Sequence, residues 1–170
     1  MDISRNKDSI IVQEKNKKII IVPGKTVSII EGERRQDIDC PGEYEVAGIF
    51  VRGIAESASQ TAFRVGTNGI RIFFPGDEAI EYSEEDKESI GEPEVIYVRA
   101  ESSKRNAKQW KKFLEDMDPR IICFGEEGEK TTALIKELNV AQTEDTEKAS
   151  IITKALPADK TRYIRLHMPS

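Results

Sequence analysis

The stretch GIRIFFPGDEA, residues 69–79, places one carboxylate, Asp77, just beyond an apolar segment and a Pro-Gly turn. Residues 70–74 have the composition of a buried strand, and Pro75-Gly76 ends it. A carboxylate at such a junction is typical of metal and catalytic sites, where it binds a cation or transfers a proton. The same position is also typical of a residue that caps a helix or closes a turn. The choice depends on the partners that the rest of the chain offers to Asp77.

Histidine and cysteine limit what those partners can be. The one histidine, His167, lies near the C-terminal end, so a zinc site built from several imidazoles cannot form. Ser-His-Asp and Cys-His arrangements would all depend on His167, which we interpret as an exposed tail residue. Cys123 lies in an apolar strand and is expected to be an inert buried thiol, while Cys40 has no basic neighbour to activate it. A disulfide between the two cysteines stays open.

Composition and charge narrow the class of protein. The 170 residues are 38% hydrophobic and 34% charged, which predicts a single globular domain over residues 1–170. The net charge of −5 argues against nucleic-acid binding. Basic residues are scattered apart from one cluster, which we interpret as largely a solvated helix face: Lys104, Arg105, Lys108, Lys111 and Lys112. The N-terminal residues lack the apolar core of a signal peptide, and no apolar run approaches the roughly 20 residues that span a bilayer. We therefore expect a cytoplasmic protein that contacts no membrane.

The hydrophobic pattern predicts strands first and helices later. Strands are predicted at residues 9–13, 18–22, 26–30, 44–54 in two pieces, 61–65 and 70–74. In the second half the pattern predicts helices at residues 83–90, 103–117 and 130–139, alternating with strands at 94–100 and 120–124. Ser83 is predicted to be the N-cap of the first of these helices. Residues around PADK, 157–160, are predicted to join a final hairpin. This order favours an α+β fold of layered, αββα type, because a doubly wound fold would alternate from the start and carry a Gly-rich first turn.

Four segments together resemble the metallo-β-lactamase-fold hydrolases, in particular the compact branch of lactonase-like metal-dependent hydrolases. The segments are DIDCPGEYEVAGIFVRGI, FRVGTNGIRIFFPGDEA, GEPEVIYVRA and FLEDMDPRIICFGEE. The resemblance covers roughly residues 36–140, and PGEYEVAGIFVRG is its most specific part. It implies a sandwich of two sheets with helices outside.

The departures from this family concern its metal site. Such hydrolases carry an H-x-H-x-D-H loop after an early strand, and here TVSII runs through EGERRQ almost directly into DIDCPGEY. The loop is absent, and so is the helix that would follow it. The family's last metal histidine would follow RIICF, where this chain has Gly125-Glu126. By this resemblance, Asp77 matches the bridging aspartate and is the one ligand position that remains.

An oxygen-only site is the alternative that would keep Asp77 functional. Glu31 and Glu33 lie where the histidine motif would begin, and Glu126 or Glu127 lies near the last histidine position. Carboxylates of this kind suit Mg²⁺, Mn²⁺ or Ca²⁺. Without imidazoles to lower the pKa of a bound water, we expect hydrolysis to be absent.

The missing segment also has a consequence for assembly. The N-terminal strands stay apolar although the helix that would cover them is gone, and an uncovered apolar face usually becomes an interface. We expect this chain to pair with itself, or with a partner subunit, through its N-terminal sheet. The sequence thus predicts a non-catalytic relative of the metallo-β-lactamase fold, a pseudoenzyme with a structural or binding role. The alternatives are a hydrolase with a carboxylate site at Asp77 and a module that binds a small anionic ligand.

Overall fold

The computed structural model describes residues 1–170 and contains two β-sheets and three α-helices. The strands are β1 (Asp2–Arg5), β2 (Ile10–Glu14), β3 (Lys17–Val22), β4 (Thr26–Glu31), β5 (Arg34–Ile38), β6 (Gly42–Val46), β7 (Ile49–Ala55), β8 (Thr61–Thr67), β9 (Ile70–Phe74), β10 (Val95–Val98), β11 (Ile121–Phe124), β12 (Glu144–Thr146), β13 (Lys148–Ser150) and β14 (Arg162–Leu166). The α-helices are α1 (Glu84–Ile90), α2 (Ala107–Met117) and α3 (Glu129–Glu137). A six-stranded sheet has the order β13-β1-β2-β3-β4-β5, and an eight-stranded sheet has the order β12-β14-β11-β10-β9-β8-β7-β6.

Alternation of side chains along the strands builds the core between the sheets. Ile3, Val12, Ile19 and Ile29 lie side by side in adjacent strands and are at most 2% exposed. Since successive side chains of a strand point to opposite faces, one buried row fixes which residues of the whole sheet face inward. The eight-stranded sheet contributes a matching inner row that includes Val65 and continues through its parallel half.

The helices pack on the outer face of the eight-stranded sheet. Helix α1 begins after Ser83, whose hydroxyl accepts from the Asp86 backbone N–H in a capping box, as the sequence predicts. Helix α2 begins at Ala107 because Asn106 caps it in the same way, four residues later than predicted. Trp110 and Leu114 of α2 are buried in an apolar cluster formed with that sheet and α3.

The layers follow from this placement. The two-sheet sandwich with outer helices is present. The apolar cluster in which the helices are buried contains no residue of β1–β5, so no α-helix covers the six-stranded sheet. The second helical layer of an αββα arrangement is therefore missing from this structure. None of the helices has the length and apolarity needed to cross a membrane.

The C-terminal hairpin expected from the sequence is wrong. Strand β13 pairs with β1 in one sheet, whereas β14 pairs parallel with β11 in the other. Residues 151–156, just before PADK, form no strand and include a 3₁₀ helix at Thr153–Ala155, so they do not pair with β14. Strand β14 instead lies between β11 and β12, where Ile164 and Leu166 are buried in the core between the sheets. Strands β1, β5 and β12 were not predicted. Strands β1 and β12 are short, and β5 is almost entirely polar, with Arg34-Arg35-Gln36-Asp37 exposed.

Candidate functional site

The candidate site lies where parallel strands end at one edge of the eight-stranded sheet. Strands β9, β10, β11 and β14 run parallel, so the residues that follow them share that edge. Asp77 follows β9, Arg99 follows β10 and Glu126 follows β11. Parallel strands place their carboxyl-end loops beside one another, which explains why three charged residues from separate parts of the chain meet here.

Arg99 bridges the two carboxylates. Its Nη1 lies 3.1 Å from Asp77 Oδ1, and its Nε lies 3.5 Å from Glu126 Oε1. Its Nη2 donates to Ser102 Oγ at 3.0 Å, and the Ser102 backbone N–H donates to Glu126 Oε2 at 2.9 Å. The Arg99 and Asp77 side chains are only 23% and 26% exposed, so the pair is sheltered but still reached by water. The guanidinium group is thus the cation that these two carboxylates share.

Two opposing influences act on the Asp77 carboxyl group. Burial raises its pKa above the ordinary value, and Glu126 and Glu78 act in the same direction. Arg99 and Arg105 lower the pKa and offset part of that rise. The pKa of the Asp77 carboxyl group is therefore set by the opposition between its burial and these two arginines.

The other predicted ligands do not all reach this edge. Glu126 does, but Glu31 ends β4 opposite Lys17, and Lys17 Nζ donates to the Ala47 carbonyl in the turn between β6 and β7. That turn lies at the far edge of the sandwich. Asp77 lies at the opposite edge together with Gln60, whose Oε1 accepts from the Asp77 backbone N–H at 3.1 Å. Glu33 belongs to the β4–β5 turn and lies at the far edge with Glu31.

The residues present do not fit the zinc centre that the resembled hydrolases would carry. No group of three or more His, Cys, Asp or Glu side chains is placed to hold a metal ion. The two carboxylates that do meet, those of Asp77 and Glu126, already share the Arg99 guanidinium. A divalent cation there would meet a fixed positive charge within a few ångströms, which is strongly unfavourable.

His167 and the cysteines lie away from Asp77. His167 follows β14, where its Nδ1 contacts Glu127 and its Nε2 lies 3.7 Å from Asp145 Oδ2. Its backbone is three strands from that of β9, roughly 14 Å at the usual strand spacing. Both cysteines are free thiols. Burial raises the pKa of Cys123 to about 12, and a hydrogen bond to Asp39 raises the pKa of Cys40, so neither is an activated nucleophile.

A buried ionic network supports the Pro75-Gly76-Asp77 turn from beneath. Glu56 has a fully buried side chain, and its Oε2 accepts from the Gly76 backbone N–H at 2.9 Å and from the Tyr82 hydroxyl. Arg105 Nη1 donates to the Gly76 carbonyl at 3.2 Å, and its Nη2 lies 4.0 Å from Glu56 Oε2. The Arg105 guanidinium also lies 5.1 Å from the centre of the Trp110 ring. Burial raises the pKa of Tyr82 well above its usual value, so its hydroxyl stays a donor.

The sequence interpretation missed Arg99, Glu56 and the role of Arg105. Arg105 was grouped with the solvated lysines, but it is 3% exposed. A signal for Arg99 existed, since it directly follows the apolar strand VIYV, and Asp77 follows IRIFF after only two residues. No sequence signal pointed to Glu56, because it lies among the polar residues of a loop.

The two-sheet sandwich with helices outside the mixed sheet is the metallo-β-lactamase fold. A solved structure of a proposed zinc-dependent hydrolase of the metallo-β-lactamase superfamily from Thermotoga maritima superimposes with a TM-score of 0.75 and covers 98% of both chains. The two sequences are 18% identical, a level at which the likeness shows the fold alone.

Comparison of sequences gives less information about this chain than comparison of structures does. No protein-family model matches the chain. A curated relative, N-(5′-phosphoribosyl)anthranilate isomerase of Thermotoga neapolitana, is 28% identical over 98 residues. The match takes in 58% of this chain and 47% of the relative, so this chain spans about half the length of the curated relative that it matches.

Proposed function

We propose that this chain is a non-catalytic protein of metallo-β-lactamase fold, with a structural or binding role, derived by loss of the N-terminal helical segment and its histidine motif. The observation that carries the proposal is the Arg99 guanidinium between Asp77 and Glu126. In a metal-dependent hydrolase a cation at this edge lowers the pKa of a bound water. A guanidinium supplies positive charge but has no open coordination position, so it holds the carboxylates without activating water.

Metal content of untagged protein, purified without chelator, tests this proposal. We expect no stoichiometric zinc, manganese or magnesium by elemental mass spectrometry, and no hydrolysis of lactone or β-lactam substrates above the uncatalysed rate. The physical reason is that the carboxylates needed as ligands are already paired with the Arg99 guanidinium. One equivalent of metal that disappears in Asp77→Asn would contradict the proposal and favour the carboxylate site.

The Arg99→Ala variant supplies the matched comparison. It leaves Asp77 and Glu126 without the cation between them, and a Mn²⁺ titration should detect weak binding that the wild type lacks. Arg35→Ala, which removes an exposed arginine from the other sheet, should behave like the wild type. Equal Mn²⁺ binding by all three proteins would show that Arg99 does not stand in for a metal.

The second part of the proposal is self-association through the outer face of the six-stranded sheet. Ile11, Ile20 and Ile30 point outward from the central strands β2, β3 and β4 and are only partly buried, and no α-helix packs on them. Polar residues such as Lys18 and Asp37 surround this apolar strip. A second copy of the chain, packed face to face, would remove the strip from water and is the usual symmetric solution.

Light scattering on the wild type and on Ile20→Glu checks this part. We expect a dimer for the wild type at micromolar concentration and a monomer for the variant, because a charge at the centre of the strip would be buried unpaired in the interface. Lys18→Glu, a neighbouring outward position already polar, serves as control and should stay dimeric. A wild type that is monomeric up to high micromolar concentration would overturn the proposed interface.

A further inference from the structure

A cleft on the outer face of the eight-stranded sheet lies at the edge opposite Asp77. Phe50, Gly66 and Arg71 stand opposite one another on β7, β8 and β9. A Cβ atom added to Gly66 would lie 3.8 Å from Phe50 Cβ and 3.9 Å from Arg71 Cγ. The missing side chain therefore leaves a gap between the two neighbours, within a depression of about 430 Å³.

The gap has the dimensions of one planar ring. Phe50 and Arg71 are two strand spacings apart, roughly 9.6 Å between backbones. A ring in contact with both neighbours needs about 3.5–4 Å on each side. Phe50 is 53% exposed, one of three large hydrophobic side chains left open to water, so part of its ring is accessible to a ligand.

Two arginines meet at one end of this cleft. Arg64 Nη1 and Arg71 Nη1 would lie 3.4 and 3.7 Å from a Cβ atom at Gly91, so the two guanidinium groups approach the same point. Glu94 orients Arg71 through contacts at 2.7 Å to Nη2 and 3.3 Å to Nε. Arg64 Nη1 donates to the carbonyls of Ser89 and Ile90 at 3.0 and 3.2 Å. These contacts hold both side chains in place before any ligand arrives.

Donors remain on both arginines after these contacts are made. Arg64 Nη2 and Arg71 Nη1 have no acceptor within the chain. Arg71 pairs with Glu94 and the neighbouring Arg52 pairs with Glu43, but Arg64 has no carboxylate partner. Burial lowers the pKa of Arg64, the charges of Arg71 and Arg52 lower it further, and those of Glu43 and Glu94 offset part of this fall. An anion placed between Arg64 and Arg71 would relieve this repulsion.

We propose that this cleft binds a small ligand that combines a planar ring with a terminal phosphate, of which a nucleoside monophosphate is the simplest form. The ring occupies the gap over Gly66 between Phe50 and the stem of Arg71. The phosphate accepts hydrogen bonds from Arg64 and Arg71, the arrangement for which paired guanidinium groups are suited. This site shares no residue with the Asp77 edge, so a test of ligand binding here is separate from a test of the proposed loss of catalysis.

Calorimetric titration with AMP tests the site. We expect saturable one-to-one binding of AMP, with adenosine, ribose 5-phosphate and inorganic phosphate each at least tenfold weaker, because each lacks the ring or the dianion. Arg64→Gln and Phe50→Ala should each weaken AMP binding at least tenfold. Arg35→Gln makes the same charge change on the other sheet and should bind AMP as the wild type does.

Gly66→Val gives a steric test that removes no charged group from the cleft. Contacts of 3.7–3.9 Å at the added Cβ are ordinary, so the sheet should accept the side chain while the gap is filled. AMP binding should be lost with an unchanged melting temperature, and inorganic phosphate should still bind as weakly as before. No saturable AMP binding by the wild type, or AMP binding as tight as the wild type's by Gly66→Val or Arg64→Gln, would overturn the proposal. A change in oligomeric state of Phe50→Ala with undiminished AMP binding would do the same and would assign Phe50 to an interface between protein chains.

Discussion

Replacing Arg105 with methionine is expected to lower the free energy of unfolding by about 3–5 kcal/mol, the usual cost of leaving a buried charge without its partner. Arg105 is 3% exposed, and the side chain of its partner Glu56 is fully buried. Glu56 Oε1 has no hydrogen-bond partner, and Arg105 is the cation with which this carboxylate pairs. Methionine keeps most of the volume against Trp110, and the loss would therefore come mainly from charge. Urea denaturation measures the change.

The neighbouring residue provides a control for this variant. Lys104 has a 67% exposed side chain, so Lys104→Met should change stability by less than about 1 kcal/mol. In Arg105→Met with Glu56→Gln the buried negative charge is gone, while the amide oxygen can still accept from Gly76. The double variant should therefore be more stable than Arg105→Met alone. If Arg105→Met costs no more than Lys104→Met, the network does not stabilise the turn beneath Asp77.

Gly125→Ala is expected to cost about 1–3 kcal/mol, because it overfills a packed site at the end of β11. A Cβ atom there would lie 1.8 Å from the Tyr97 hydroxyl oxygen and 2.0 Å from Tyr97 Cζ. Tyr97 is 3% exposed and its ring is rigid, so it has nowhere to move without disturbing the inner core. Thermal and urea unfolding measure the loss of stability.

Gly66→Ala is the matched control for this substitution. Both glycines have backbone conformations that alanine can adopt, but the nearest atom to an added Cβ at Gly66 is 3.7 Å away. Gly66→Ala should thus be neutral or slightly stabilising within a strand. Equal effects of the two substitutions would mean that the close approach of Gly125 to Tyr97 does not matter for stability.

The central strands could be predicted from sequence because their apolar residues alternate or run together. Residues 18–22 and 70–74 were placed within one residue of β3 and β9. The cap at Ser83 was predicted for the same local reason, since its signal lies within four residues. The edge strand β5 was missed because edge strands are often charged, and its pattern resembles that of a loop.

The candidate site was predictable only in part. Asp77 was found from its place after a strand, and Glu126 from the resemblance. The separation of Glu31 and Glu33 from Asp77 depends on which edge of the sandwich each turn occupies, and this is set by sheet pairing over long distances. Arg105 was misassigned because sequence shows its charge but not the buried Glu56 that binds it.

The pairing of β1 with β13 bears on how the chain folds. Asp2 stands opposite Ser150, so nearly the whole sequence lies between two adjacent strands of one sheet. Closing so long a loop is entropically costly, and contacts of this kind slow folding. Strands β2–β5 form a local meander and can assemble as they leave the ribosome. The strand β1 gains its second neighbour only after Lys148–Ser150 has been synthesised, which leaves one side of it unpaired while residues 6–147 are being made.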